Sequence, residues 1–251
     1  MRLLVLAILT GTLARGAFGA DVYFNDFNGP VGTTYPEWTS GGYTNTANRV
    51  GTVPAGSGPQ TVANVASPNG SQRFLGEFGG PTIVTARPYD PQHFVRVDET
   101  ATLTLRNLKP HTRATASFDL YILKSWDGNN PNYGPDRWKL SVRGGPTLLD
   151  TTFSNNAKTG DYDLSLQNYP TANSRDHAGA AAVNTLGYKF FGDGVYHLTF
   201  TFPHSGGTLV LDFSSSLFEG KGIADESWGL DNVRISTDAG DSLSGQHADL
   251  P

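Results

Sequence analysis

Val195-Tyr196-His197-Leu198-Thr199-Phe200-Thr201-Phe202-Pro203-His204-Ser205-Gly206-Gly207-Thr208-Leu209-Val210-Leu211-Asp212-Phe213 is the stretch that decides the fold. Tyr196, Leu198, Phe200 and Phe202 recur at every second residue, and so do Leu209, Leu211 and Phe213. Period two is the side-chain repeat of a strand with one face turned to a core. The residues between, Pro203 to Gly207, read as a hairpin connection.

Working outward, Ala114 to Leu123 is the best-marked strand of all. Phe118, Leu120 and Ile122 fall on one side and Asp119, Tyr121 and Leu123 on the other, so it is expected to lie centrally with both faces partly covered. Trp138, Leu140 and Val142 alternate with Arg137, Lys139, Ser141 and Arg143. Residues 101–105, 73–80 and 21–27 give further strands, the last stopped by Asn28-Gly29-Pro30. Residues 31–70 are rich in Gly, Thr, Asn and Pro and read as long surface loops with at most one short strand, and residues 155–182, which hold Tyr162, Tyr169, Arg175 and His177, read as a second long loop. Nowhere after the first twenty residues does a 3.6-residue apolar period persist. The pattern therefore predicts an all-β protein, a two-sheet antiparallel jelly-roll sandwich with long loops. With no internal repeat and no linker, residues 21–236 form one domain, followed by a polar tail, 237–251, expected to be disordered.

The 251-residue chain carries 18 Lys and Arg against 23 Asp and Glu, a net charge of −5, with no basic cluster. This excludes nucleic acid and anionic membrane surfaces as partners. Residues 1–20 combine Arg2, an apolar run from Leu3 to Leu9 and small residues at Ala17-Phe18-Gly19-Ala20. That is the layout of a secretory leader, and the run is far shorter than the ~20 residues that span a bilayer. The protein is expected to be secreted, extracellular or periplasmic, and not inserted in a membrane. There are no cysteines, so loops must be held by packing or by metal.

The closing strand, Ala224-Asp225-Glu226-Ser227-Trp228-Gly229-Leu230-Asp231-Asn232-Val233-Arg234-Ile235, sets acids against a β-branched run. Strict alternation puts Asp231 on the face of Val233 and Ile235, and Asp26 falls in phase with Val22 and Phe24. An inward carboxylate needs either buried hydrogen bonds or a cation to offset its desolvation.

Three motifs carry a resemblance: Arg73-Phe74-Leu75-Gly76-Glu77-Phe78-Gly79, Phe118 to Asn129, and Asp225 to Val233. They resemble a group of secreted bacterial proteins with a concanavalin A-like jelly-roll fold, distantly similar to MAM domains and β-sandwich carbohydrate-binding modules. The resemblance implies that the first and last strands lie side by side and that an acid from each holds a structural calcium, which here designates Asp26 and Asp231. MAM domains usually add cysteines, and this chain has none.

Calcium takes six to eight oxygens. Candidate ligands beside Asp26 and Asp231 are Asp127 and Asn129, in Asp127-Gly128-Asn129, and Asp225; the alternative for Asp127 is an Asp-Gly turn closed by its own side chain. Glu226, adjacent to Asp225, would point the opposite way on a strand. Trp38, Tyr43, Trp126, Tyr133 and Tyr169 lie in or beside loops and are the candidates for stacking on sugar rings, against the alternative that they fold back over the sandwich ends. Trp138 and Trp228 read as core. Glycoside hydrolysis needs two carboxyl groups facing across a cleft, and Glu77 with Glu226 is the pair to test. No Gly-x-Ser-x-Gly or His-Glu-x-x-His occurs. The reading is thus a secreted, non-catalytic, carbohydrate-binding or cell-surface domain with structural calcium. Its rivals are a glycan-active hydrolase and a purely structural or adhesive protein.

Overall fold

The structure, a computed structural model, describes residues 19–45, 60–80, 95–155, 166–189, 191–219 and 222–238. The expected leader falls almost wholly outside these residues, as do residues 239–251 of the expected tail. The described residues form twelve strands, in chain order β1 (Ala20–Asn25), β2 (Thr34–Asn45), β3 (Gln60–Ala66), β4 (Arg73–Phe78), β5 (Val95–Arg106), β6 (Arg113–Lys124), β7 (Arg137–Val142), β8 (Thr147–Thr152), β9 (Ala182–Val183), β10 (Asp193–Pro203), β11 (Thr208–Glu219) and β12 (Glu226–Thr237). The described residues hold one 3-10 turn, Gly222–Ala224, ahead of β12. No helix among them is long and apolar enough to cross a membrane.

The strands form two antiparallel layers with a shared corner. One runs β3-β4-β12-β6-β10-β9 and the other β8-β7-β11-β5-β2-β3. β3 belongs to both, pairing with β2 through Gln60, Thr61 and Ala63 and with β4 from Asn64 onward. The layers pack face to face through aromatic rings. Phe118 on β6 meets Phe213 on β11 edge-on at 5.3 Å, and Trp138 on β7 meets Trp228 on β12 at 6.0 Å. Such pairs each add about 0.5–1.5 kcal/mol beyond the area they bury. The fully buried Trp228 and Trp38 also satisfy their indole N–H groups, on Ser215 Oγ at 2.9 Å and Tyr23 OH at 2.8 Å.

The terminal strands do lie side by side. β1 pairs with the second half of β12, where Asn25 faces Val233 and Tyr23 faces Ile235, while β4 takes the first half of the same edge. Two strands, β2 and β3, occupy the region that reads as loop. Their composition conceals them, and register shifts within β2 break the alternation that would have exposed it.

The outward side of the β12 layer carries a second apolar cluster of Phe74, Tyr121, Leu123, Leu186 and Val195. Phe74 lies against Tyr121 at 5.2 Å and over Gly229, where a Cβ would come within 2.3 Å of the Phe74 ring. Gly229→Ala should therefore overpack this contact and destabilise the fold by about 1–3 kcal/mol. Urea titration should show a lower midpoint with an unchanged slope; an unchanged midpoint would show that Phe74 yields freely.

Candidate functional site

Acidic side chains along and around β12 define the chemistry, and the backbone decides where each points. Trp228 and Leu230 face the core, and so do Val233 and Ile235, three residues on instead of two. A register shift between Asp231 and Arg234 and a left-handed Asn232 (φ 50°) reverse the phase. Asp231 therefore faces outward, away from Val233 and Ile235, which corrects the strict-alternation reading. It is nonetheless only 3% exposed. It accepts hydrogen bonds from Tyr121 OH at 2.8 Å and from the Asn232 N–H at 2.8 Å. Burial raises its pKa to about 7, opposed by those two donors and reinforced by the neighbouring charges of Asp119 and Asp26. Asp26 is half-buried and caps the Asn28 N–H at 3.2 Å. The pair meets as neighbours, but each carboxylate is engaged by protein donors.

Among the described residues, the three acids that converge are Asp127, Asp136 and Glu226, with a carboxylate oxygen of each within 4.8 Å of the others. They are 8%, 0% and 2% exposed. Leaving β6, the chain is pinned by the Trp126 indole, which donates to Ser227 O at 2.8 Å, and by Ser125 Oγ, which donates to Asp225 Oδ1 at 2.9 Å. Gly128 then turns left-handed (φ 57°), where a Cβ would lie 2.3 Å from Leu166 O. Asp136, just before β7, accepts from the Asp127 N–H at 2.5 Å and the Phe218 N–H at 3.1 Å. Burial pushes its pKa well above the usual carboxylate range, the Asp127 charge adds to this, and a hydrogen bond with Glu226 opposes it. Three ionised carboxylates cannot share a buried space of this size without protons or a cation between them.

Of the sequence candidates for metal, Asp127 joins this group. Asp225 turns away to Ser125, and Asn129 is used up between Thr152 Oγ1 (2.6 Å) and Asn168 (2.9 Å). Glu226 joins, but Asp136 was missed: Gly134-Pro135-Asp136 reads as a turn, and its one signal was an acid directly before the Trp138 strand. The pair Glu77 and Glu226 does not face across a cleft. Glu77 accepts from Lys124 Nζ at 2.5 Å, Tyr188 OH at 2.6 Å and Ser227 Oγ at 2.7 Å, on the side of β12 opposite the Glu226 carboxylate.

The aromatic candidates separate by burial. Trp38 and Trp126 are fully buried, Trp38 against Phe213 at 5.4 Å and Trp126 against Phe153 at 6.4 Å. Neither offers a face to a sugar, which corrects their reading as stacking platforms. Tyr169 is half-buried on Phe153 at 5.1 Å and Tyr196 at 5.5 Å. Tyr133 is half-buried in a turn capped by Asn130 Oδ1. The Tyr43 side chain lies outside the described residues.

The outward side of the β12 layer is divided. One half is covered by the segment after β9, where Leu186 and Tyr188 pack on the second cluster. Asn69 Nδ2 fastens this segment through Thr185 O at 2.8 Å, and Asp193 accepts from the Thr185 and Leu186 N–H groups. The other half is open. There His197, its side chain 67% exposed, pairs with Asp119, which also accepts from Asn232 Nδ2 at 2.8 Å. Thr115 and Thr201 share a hydrogen bond at 2.9 Å. Arg234 pairs with Asp21 and stands 4.5 Å over the Phe24 ring.

No protein-family model matches the chain. No curated protein matches it either. Solved structures that resemble it include the mannan-recognising carbohydrate-binding module TmCBM27, with TM-score 0.39 and 12% identity over 87% of this chain and 97% of that one. The K2 cleaved adhesin domain of Lys-gingipain gives 0.33 and 10% over 87% and 98%. CBM28, a module specific for non-crystalline cellulose, gives 0.28 and 16% over 70% and 79%. At these values no residue, ligand or activity transfers to this chain.

The raised pKa of Asp231 has a definite sign. A carboxyl whose folded pKa stands at about 7 gives its full stabilisation in acid and loses it as pH rises through 7. Between pH 5 and pH 8 the wild type should lose about 2–3 kcal/mol more stability than Asp231→Asn. Parallel pH–stability curves for the two proteins would exclude the shift.

Proposed function

We propose that this is a secreted, non-catalytic, carbohydrate-binding β-sandwich whose Asp127, Asp136 and Glu226 hold a structural calcium. The observation that carries the reading is the contrast between sealed acids and an open polar face. The three converging carboxylates are buried beyond the reach of a substrate, so they suit a structural role and not hydrolysis of a glycan. The donor set consists of hard anionic oxygens, which is what calcium selects. Backbone oxygens and water would complete the shell, and the cation would replace the protons that otherwise keep these acids apart.

Binding falls to the open half of the β12 layer. Asp119, Asn232, His197, Thr115 and Thr201 present acceptors, donors and hydroxyls from adjacent strands, the complement of a row of sugar hydroxyls. Among these groups, hydrogen bonding replaces the stacking that the sequence suggested. Secretion is supported by the leader-like residues 1–20.

Two measurements test this. After chelation, added calcium at a hundredfold excess over Kd should raise stability by about 2.7 kcal/mol, and Asp136→Asn should abolish the response. A melting curve indifferent to chelator and calcium would overturn the metal assignment. On a glycan array, the wild type should bind and Asn232→Ala should bind at least about tenfold more weakly, one lost hydrogen bond to a charged or polar partner being worth about 1.4 kcal/mol. A clean negative for the wild type would leave a structural or adhesive role.

A further inference from the structure

At the end of the sandwich remote from the acid cluster, two turns meet through two imidazoles. His111, buried in the β5–β6 turn, places Nδ1 2.6 Å from Lys109 O and Nε2 2.7 Å from His204 Nδ1. His204, in the β10–β11 hairpin, places Nε2 3.2 Å from Thr208 O. The rings lie offset and nearly parallel, 22° apart with centroids at 4.9 Å.

Each of these three contacts needs one hydrogen between its two heavy atoms. Carbonyl oxygens only accept, so His111 Nδ1 and His204 Nε2 must both carry hydrogen. The contact between the rings needs one more. Two neutral imidazoles supply two N–H groups for these three contacts, so the fully bonded pair carries one extra proton and a single positive charge.

We infer that His111 and His204 form a proton-bridged clamp that fastens the β5–β6 turn to the β10–β11 hairpin, and that this end of the sandwich loosens when the pair gains or loses a proton. Loss of the shared proton sets two lone pairs against each other or leaves a carbonyl without its donor. Gain of a second sets N–H against N–H. Burial, followed by the charge of His111, lowers the pKa of His204, so burial opposes any charge on this ring and the charge of His111 adds further resistance to the second proton, against the hydrogen bond to Thr208 O, which favours protonation. The surrounding charged groups are Lys109 on the same turn, Arg106, whose backbone pairs with Thr208, and Arg113, whose backbone pairs with Pro203. Asp238 completes the set, accepting from Thr112 and from the Arg113 N–H at 3.1 Å. Hydrogen bonds from Thr112 hold Asp238 at about 2, so it stays charged throughout the window in which imidazoles titrate.

Imidazole nitrogen NMR and amide exchange of the full chain between pH 4 and pH 9 test the clamp. The pair should titrate in two separate steps. Between the steps, the Leu108 amide, bonded to Gly207 O, and the His204 amide, bonded to Thr112 O, should be protected. Outside that window their protection, corrected for intrinsic exchange, should fall by about tenfold or more on each side. In His204→Gln the remaining His111 should titrate in one step and the Leu108 amide should lose its window. A single common step for both rings in the wild type, or protection of both amides independent of pH, would overturn the inference whether or not the variant folds.

Discussion

Desolvation of carboxylates around β12 is the constraint on which the rest of the structure depends. The first half of this strand, Glu226 to Asp231, is buried on both faces, with Trp228 and Leu230 toward the core and Ser227, Gly229 and Asp231 toward the second cluster, while Val233 and Ile235 continue the core face beneath an open outer side. Its acids must therefore be accommodated inside. Glu226 is drawn into a group with Asp127 and Asp136, and Asp231 is given Tyr121 and a backbone N–H. Each solution fixes a neighbouring segment: the first anchors the long connection after β6, and the second orients Tyr121 beneath the covering segment. Carboxylates that would destabilise a sheet if left bare thus position the loops around it.

How far the sequence revealed this depends on whether the backbone obeys its own period. β6, β10 and β11 are regular and were legible from Phe118, Tyr196 and Leu211 outward. β2 contains register shifts, so Trp38 looked like a loop aromatic although it is fully buried. Asp231 was recognised as an anomalous acid, but one left-handed residue, Asn232, reversed its direction. A bulge changes every later side of a strand and leaves no compositional mark beyond an asparagine. Asp136 was out of reach for a different reason: its partners come from residues 127 and 226, and nothing local signals that a Gly-Pro-Asp turn ends inside a group of acids.

The same burial separates the aromatic residues from the surface that remains for a ligand. All four tryptophans are fully buried, and two of them bridge the layers by ring contact. The open half of the β12 layer is thus left with hydroxyl, amide and charged groups that already hold one another, as Asp119 does His197 and Asn232. Preorganisation of this kind lowers the ordering cost of binding, since these side chains need not be immobilised again. It would also limit the affinity of any ligand met there to hydrogen bonds exchanged with water.

The two ends of the sandwich respond to pH through opposite chemistry. Protons held by Asp231 and the acid group favour the folded state in acid, as does the proton shared by His111 and His204 until a second one arrives. The calcium ion proposed among Asp127, Asp136 and Glu226 would reverse the sign at its own end, because it would bind only the ionised carboxylates and its hold would strengthen as pH rises. With that metal in place, the long-loop end would be strongest at the high pH where the proton-bridged end weakens. The β12 layer spans both, its first residue in the acid group and Asp238, just beyond its last, capping the β5–β6 turn that carries His111. Calcium at one end would therefore compensate in stability for a proton lost at the other without any contact between the two sites, since both free energies add to the same folded state.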